Sequence, residues 1–287
     1  MTAEPDVTIL YVARGIDAGL AAATAFAEAW LRHPPGHAYR LLFLAKGWPS
    51  ASDRTRLADV AAGCGAGVLD VNDDGFDWGA YFQALPCLGT HWVCLMNSHS
   101  RPLSSDWLAK LMAVATRPEI GVAGATGSWE SPRGAHSRRD SFATRVRQLL
   151  RAVRHQRHLR NFEPYPNPHL RSTGILVSRE LLQSFAALHG PPGDKYAAHM
   201  LESGRNGLTR FAQRRGCQPR VVGRDGCAYA VPDWPASATF RSLDQRNLLI
   251  SDNRTRDYEV GTPAVRAALT SYAWGASPPA QASATSI

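Results

Sequence analysis

Apolar and polar positions alternate in blocks along the first 125 residues, and the blocks change period in a regular order. Val7–Ala13 is a continuous apolar run with β-branched residues and reads as a strand. Asp17–Arg32 then places Leu20, Ala23, Thr24, Ala27, Trp30 and Leu31 at helical spacing, and Pro34-Pro35-Gly36 ends it. The same alternation continues through a strand at Tyr39–Ala45, a helix at Ser52–Ala62, a strand at Gly67–Val71 and a helix at Asp77–Leu88. It closes with a buried strand at Trp92–Met96, a helix at Ser104–Thr116 and a strand at Ile120–Ala125. Strand–helix alternation of this kind predicts an α/β fold, a mostly parallel, doubly wound, Rossmann-like sheet with right-handed crossovers. Ligands of such sheets bind beyond the carboxyl ends of the strands. The chemistry is therefore expected at Arg14–Asp17, Lys46–Ser50, Asn72–Trp78, Asn97–Pro102 and Thr126–Glu130.

After Ser131 the pattern changes. An arginine-rich segment and the Pro-rich stretch Pro164–Pro168 come first. A strand at Gly174–Val177, a helix near Arg179–Leu188, a long helix across Tyr196–Arg215 and a last short strand at Arg220–Gly223 come after them. The expected organisation is a nucleotide-binding half (1–131), an arginine-rich amphipathic segment with its Pro-rich loop (132–168) and an acceptor or catalytic half of the same domain (169–275). Residues 276–287 are small, polar and read as a disordered tail.

Composition adds two exclusions. At 287 residues and 44% hydrophobic, the chain can bury one large core and is neither globally disordered nor fibrous. Its longest apolar runs are about five residues, such as Leu41–Ala45, whereas a bilayer-spanning helix needs about twenty. The polar start, Met1–Asp6, is not a secretory signal. The five cysteines form no C-x-x-C pair, which argues against structural zinc and suits a reduced, cytoplasmic compartment. Cys87 and Cys94 read as small core residues.

The net charge of +8 is local. Nine arginines lie between Arg133 and Arg160 against one acid, Asp140, an excess equal to that of the whole chain. Phe142, Val146, Leu149, Leu150 and Val153 share one helical face there. A basic amphipathic helix over 138–160 suits an anionic membrane surface, or equally docks on its own domain. The run lacks interleaved aromatics, so nucleic acid is not expected as a partner.

Several local motifs carry candidate chemistry. The strand Trp92–Met96 delivers Asn97-Ser98-His99-Ser100-Arg101-Pro102 to the ligand edge, ahead of Trp107-Leu108. In order of elements over about residues 5–230, the chain resembles inverting nucleotide-sugar glycosyltransferases of the family 2 type, with the GT-A fold. The resemblance puts Asn97 and His99 where that family carries the Asp-x-Asp that holds Mg²⁺ or Mn²⁺ against the donor's diphosphate. An amide and an imidazole make a poor site for a hard cation. A donor site with little or no metal dependence is expected, with Arg101 neutralising phosphate.

The resemblance extends to Asp73-Asp74-Gly75-Phe76-Asp77-Trp78-Gly79, similar to a Gly-x-Asp-x-Gly turn of surface-polysaccharide enzymes. Asp74 and Asp77 would hold the base or ribose together with Arg14, and Asp73 with Asp74 offers a fallback metal site. The alternative is an N-terminal cap from Asp77 and a core Trp78. Trp129 and Glu130 would stack on and bind a sugar, or form a plain surface turn. Glu202-Ser203-Gly204-Arg205 resembles the acidic motif that supplies the family's catalytic base, which leaves Glu202 to take the acceptor's proton beside Arg205. Asp225 in Arg224-Asp225-Gly226 is a second candidate base, or an ordinary β-turn. The expected activity is transfer of a sugar from a nucleotide diphosphate sugar to a glycan or lipid-linked acceptor in surface polysaccharide synthesis. A binding protein that kept the fold without catalysis, and another nucleotide-dependent transferase, are the rival readings.

Overall fold

A computed structural model describes residues 5–16, 19–133 and 156–275. The strands are β1 (Val7–Arg14), β2 (Arg40–Lys46), β3 (Gly67–Val71), β4 (Trp92–Met96), β5 (Arg101–Pro102) and β6 (Val122–Gly124). They continue with β7 (Gly127–Ser128), β8 (His169–Leu170), β9 (Thr173–Ser178), β10 (Arg220–Val222), β11 (Ala228–Tyr229) and β12 (Ile250–Ser251). Helices α1 (Gly19–Arg32), α2 (Ala51–Gly63), α3 (Phe76–Ala84) and α4 (Trp107–Ala115) belong to the first half. Residues 156–161 are helical and are called α5. Then come α6 (Arg179–His189), α7 (Lys195–Ser203), α8 (Leu208–Arg214), α9 (Asn253–Glu259) and α10 (Pro263–Trp274).

Eight of these strands form one sheet in the order β11-β10-β6-β9-β4-β1-β2-β3. β3, β2, β1 and β4 pair parallel, as do β6 and β10, while β9 runs antiparallel between β4 and β6. The central strands are buried on both faces, as expected where helices cover both sides. Ile9, Tyr11 and Ala13 of β1 point into one core with Phe26, Trp30, Phe43 and Trp107. Leu10 and Val12 point into the other with Leu44, Trp78, Tyr81, Phe185 and Phe211. The α/β, doubly wound reading is what the chain adopts. No helix among the described residues is long and apolar enough to cross a membrane.

Four local expectations change. α1 turns Phe26 into the core, where it stacks on Tyr11 at 3.9 Å, and leaves Leu31 66% exposed. α2 starts at Ala51, one residue before the expected Ser52, because Ser50 caps it, its hydroxyl accepting from the Asp53 amide. The long helix across 196–215 is two helices. It breaks because a Cβ at Gly204 would come within 2.6 Å of the Met200 carbonyl oxygen, and one at Gly207 within 2.8 Å of that of Glu202. Cys94 is a core residue, but Cys87 is exposed at the end of a 3₁₀ turn. The basic amphipathic helix over 138–160 and the tail lie largely outside the described residues.

Strand β9 has the strongest bearing on the ligand edge. Because it runs against its neighbours, its entry residues Arg171, Ser172 and Thr173 sit beside the carboxyl ends of β4 and β6. The sequence places chemistry only after parallel strands, and this loop before an antiparallel one is a departure from that expectation.

Candidate functional site

The carboxyl edge of the sheet carries a cavity of about 550 Å³, within the size range of small-molecule sites. Asp77, Glu130, His169, Arg171, Glu202 and Arg241 line its interior, and Phe76 and Tyr272 expose 39% and 43% of their surfaces at it.

Glu202 sits in the last turn of α7. The Ser172 amide, from the loop before β9, donates to its Oε1 at 2.8 Å. Burial would push its carboxyl up, but the nearby His169 and Arg171 charges, the Ser172 amide and His199 outweigh that and hold it below the usual carboxylate range. Glu202 is therefore ionised at neutral pH. His169 is buried, and its Nδ1 lies 2.8 Å from the Asn167 carbonyl, which can only accept, so Nδ1 carries the proton. Burial lowers the His169 pKa, and the Glu202, Asn167 and Glu130 interactions oppose that shift.

Asp77 also faces the cavity. α3 begins after Gly75, which has φ +72° and provides no side-chain cap, so Asp77 does not cap the helix. Burial, opposed by Lys46 and reinforced by Glu202, raises its carboxyl to about 6. Gly79 holds this turn closed, since a Cβ there would stand 2.3 Å from the Asp74 carbonyl oxygen.

The neighbouring end of β1 and β2 carries an ion cluster. Asp73 lies 3.5 Å from Arg14 Nε and 3.6 Å from the buried Lys46 Nζ, which also donates to the Asp74 carbonyl at 2.7 Å. Burial lowers the Lys46 pKa, and Asp73 and Asp77 oppose the shift. Asp73 and Asp74, expected as donor-binding or fallback metal residues, are both exposed, and it is Asp73 that pairs with these cations.

Asn97 has a structural role at the end of β4. Asn97 is buried, and its Nδ2 donates to Thr173 Oγ1 at 2.8 Å and to the Ser172 carbonyl at 3.3 Å. Its Oδ1 accepts from the His99 amide at 2.9 Å and from Ser100 Oγ at 3.2 Å. Thr173 in turn donates to Asp252, a buried carboxylate that also pairs with Arg171 at 3.0 Å. The chain of bonds needs a donor at position 97, which an aspartate lacks. No group of three or more His, Cys, Asp or Glu side chains able to hold a metal occurs among the described residues. The amide of Asn97, spent on these bonds, does not fit the Mg²⁺ or Mn²⁺ that the resemblance implies.

Other expected residues separate. Glu130 lines the cavity and is tied to the buried Arg241 by a short ion pair. Trp129 does not reach the cavity. It is half-buried and packs edge-on against Trp274 at 5.8 Å, with its indole nitrogen buried, beside the core and outside the cavity lining. Asp225 is a turn residue: Oδ1 accepts from the Cys227 amide at 2.9 Å, and Oδ2 from Tyr229 Oη at 2.7 Å and Asn247 Nδ2 at 3.0 Å. Arg205 points away from Glu202, to the Phe162 carbonyl and Glu163. His99 and Arg101 lie half-buried on the loop after β4, and Arg256 donates to the His99 carbonyl at 3.1 Å.

His169, Arg171, His199 and Arg241 belong to the site without having been expected from the sequence. His199 and Arg241 flank motifs without belonging to one. His169-x-Arg171, just before a predicted strand, was the signal available. Arg171 and Arg241 lie over the Phe240 ring at 4.1 and 4.9 Å, and each keeps one buried N–H without a protein partner.

No family model matches the chain, and no curated protein matches it. Solved structures similar to it include a mannosyltransferase from Pyrobaculum calidifontis in complex with GDP-Man and Mn²⁺, at 17% identity and a TM-score of 0.47. That alignment covers 83% of this chain and 61% of the other. Glucosyl-3-phosphoglycerate synthase from Mycobacterium tuberculosis aligns at 16% identity and a TM-score of 0.37, over 62% of this chain and 58% of its own. A 4-diphosphocytidyl-2C-methyl-D-erythritol synthase from Anaerococcus prevotii aligns at 11% identity and a TM-score of 0.42, over 69% and 83%. The chain thus spans about three-fifths of the length of the first two, and what it has in common with all three is an α/β architecture.

Proposed function

We propose that the protein is a glycosyltransferase that moves a sugar, with inversion, from a nucleotide diphosphate sugar to a hydroxyl of a glycan or lipid-linked acceptor. Glu202 carries the reading: an ionised carboxylate in a cavity at the carboxyl edge, fixed by the Ser172 amide at 2.8 Å. In the reaction, Glu202 takes the proton of the acceptor hydroxyl as that oxygen bonds to the anomeric carbon. The bond from that carbon to the diphosphate breaks, and its electron pair leaves on the phosphate oxygen. The products are the new glycoside, a nucleoside diphosphate and a protonated Glu202.

Arg14, Asp73, Lys46 and Asp77 suit the nucleoside end of the donor, and the exposed Phe76 and Tyr272 rings suit sugar faces at the mouth. The resemblance of the Gly75-x-Asp77-x-Gly79 turn to that of surface-polysaccharide enzymes is what supports a role in such synthesis. The test is turnover against a panel of nucleotide sugars and acceptors. Glu202→Gln should abolish transfer with donor affinity retained, and undiminished transfer sinks the base assignment. Donor binding without transfer or hydrolysis by the unaltered protein would favour a binding role instead.

A further inference from the structure

The charge of a diphosphate needs a partner, and the residues in the Asp-x-Asp places do not fit a metal. Two arginines nearby are arranged to meet that charge. β5 and β12 pair antiparallel with Arg101 opposite Ser251, so these side chains share a face. Arg256, on α9, donates from Nη1 to Ser251 Oγ at 3.4 Å and to the His99 carbonyl at 3.1 Å. Ser251 Oγ also donates to the Arg101 backbone carbonyl at 3.4 Å, so the half-buried Arg101 and Arg256 are both tied to one serine at the end of the loop after β4.

Neither forms an ion pair with a carboxylate among the described residues, and the Arg101 guanidinium has no protein acceptor there. Asp252, Asp257 and Glu259 act on Arg256 from beyond ion-pair distance, so both guanidiniums keep hydrogen-bonding capacity for an anion. Burial, and then the Arg101 charge, lower the Arg256 pKa. Both arginines and Asp77 act electrostatically on Tyr11, whose hydroxyl donates to the Ser98 carbonyl at 3.1 Å. The pair lies on the loop after the carboxyl end of β4, the edge of the sheet that also carries the cavity.

We propose that Arg101 and Arg256 form a metal-independent clamp for a diphosphate. Guanidiniums bind phosphoryl oxygens through paired, charge-assisted hydrogen bonds. The identity of the diphosphate as the donor's rests on the glycosyltransferase reading; its binding does not. In that reaction the clamp stabilises the negative charge that collects on the leaving phosphate oxygen as the bond to the anomeric carbon breaks.

The experiment is calorimetric titration of the full chain with inorganic pyrophosphate in EDTA. The unaltered protein should bind one pyrophosphate, and more tightly than sulfate. Arg101→Gln should weaken binding at least about tenfold without lowering the melting temperature, since Arg101 holds no protein partner. Arg256→Gln should weaken it similarly. If that variant fails to fold, Arg101→Gln alone decides. Binding that appears only when Mn²⁺ or Mg²⁺ is added overturns the proposal, as does unchanged affinity in Arg101→Gln. Glu202→Gln should keep pyrophosphate affinity within about twofold. Retained turnover in Glu202→Gln would remove the base and leave the clamp, whereas retained pyrophosphate affinity in Arg101→Gln would remove the clamp and leave the base.

Discussion

Glu202 and Asp225 are two carboxylates that look alike in the chain. Each stands close to glycine and arginine, and each belongs to the second half. In the fold they differ in what they have left to offer. Asp225 is occupied by the Cys227 amide, the Tyr229 hydroxyl and Asn247, and so holds a turn together. Glu202 accepts one backbone bond and turns toward a cavity shared with a second carboxylate of opposite poise, Asp77. A candidate base is recognised by its unused hydrogen-bonding capacity and by the charges that set its ionisation, and neither is written in its neighbours along the sequence.

The largest expected effect breaks the pair apart directly. Glu202→Gln should lower kcat by about 10²–10⁴-fold, while Asp225→Asn keeps kcat within about threefold of the unaltered enzyme. Equal losses in both would erase the distinction. Next in size is the asparagine that orders the edge. Asn97→Asp should destabilise the fold by about 2–3 kcal/mol, because Thr173 cannot donate to both position 97 and Asp252. Denaturant unfolding measures this, and an unchanged midpoint would refute the bond chain. Asp225→Ala, which strips three bonds from the turn, should cost about 1–2 kcal/mol by the same measurement.

Asp77 gives a pH-dependent sharpening. Its folded pKa of about 6 lies above its ordinary value. Between about pH 4 and 6 the folded chain holds a proton that the unfolded chain has released, so this stability is lost as pH rises. Asp77→Asn should therefore melt higher than the unaltered protein at pH 7.5, with the gap closing near pH 4. A gap independent of pH would mean the carboxyl is not perturbed. The smallest effect concerns Trp129. Trp129→Phe should change KM for any sugar substrate by less than about twofold, since the ring packs on Trp274 and not on the cavity.

Much of the fold was legible in the chain. Strands β1 to β4 derive from apolar runs, and their helices from spacing and from proline and glycine stops. The antiparallel insertion of β9 was not, because a short strand at 174–177 reads the same in either direction, and only pairing with β4 and β6 orients it. The candidate site divides in the same way. Asp77 and Glu202 were found from local motifs, and the structure brings both to one cavity. Arg171, His169 and Arg241 were not found, since they come from a loop before β9 and a turn after Phe240, far apart in sequence. Trp129 was read as a sugar platform because exposure cannot be seen in a glycine-containing loop; Trp274, 145 residues later, covers it.

By itself the sequence determined the α/β class, the strand–helix order of the first half and the placing of Asn97 and His99 at the end of a buried strand. Those rest on periodicity and residue identity, which are local properties. Only the tertiary structure decided which carboxylate keeps capacity for a substrate, why position 97 must donate, and that Arg101 and Arg256 meet. Ionisation, hydrogen-bond occupancy and charge pairing depend on distances between residues that the chain brings together only when it folds.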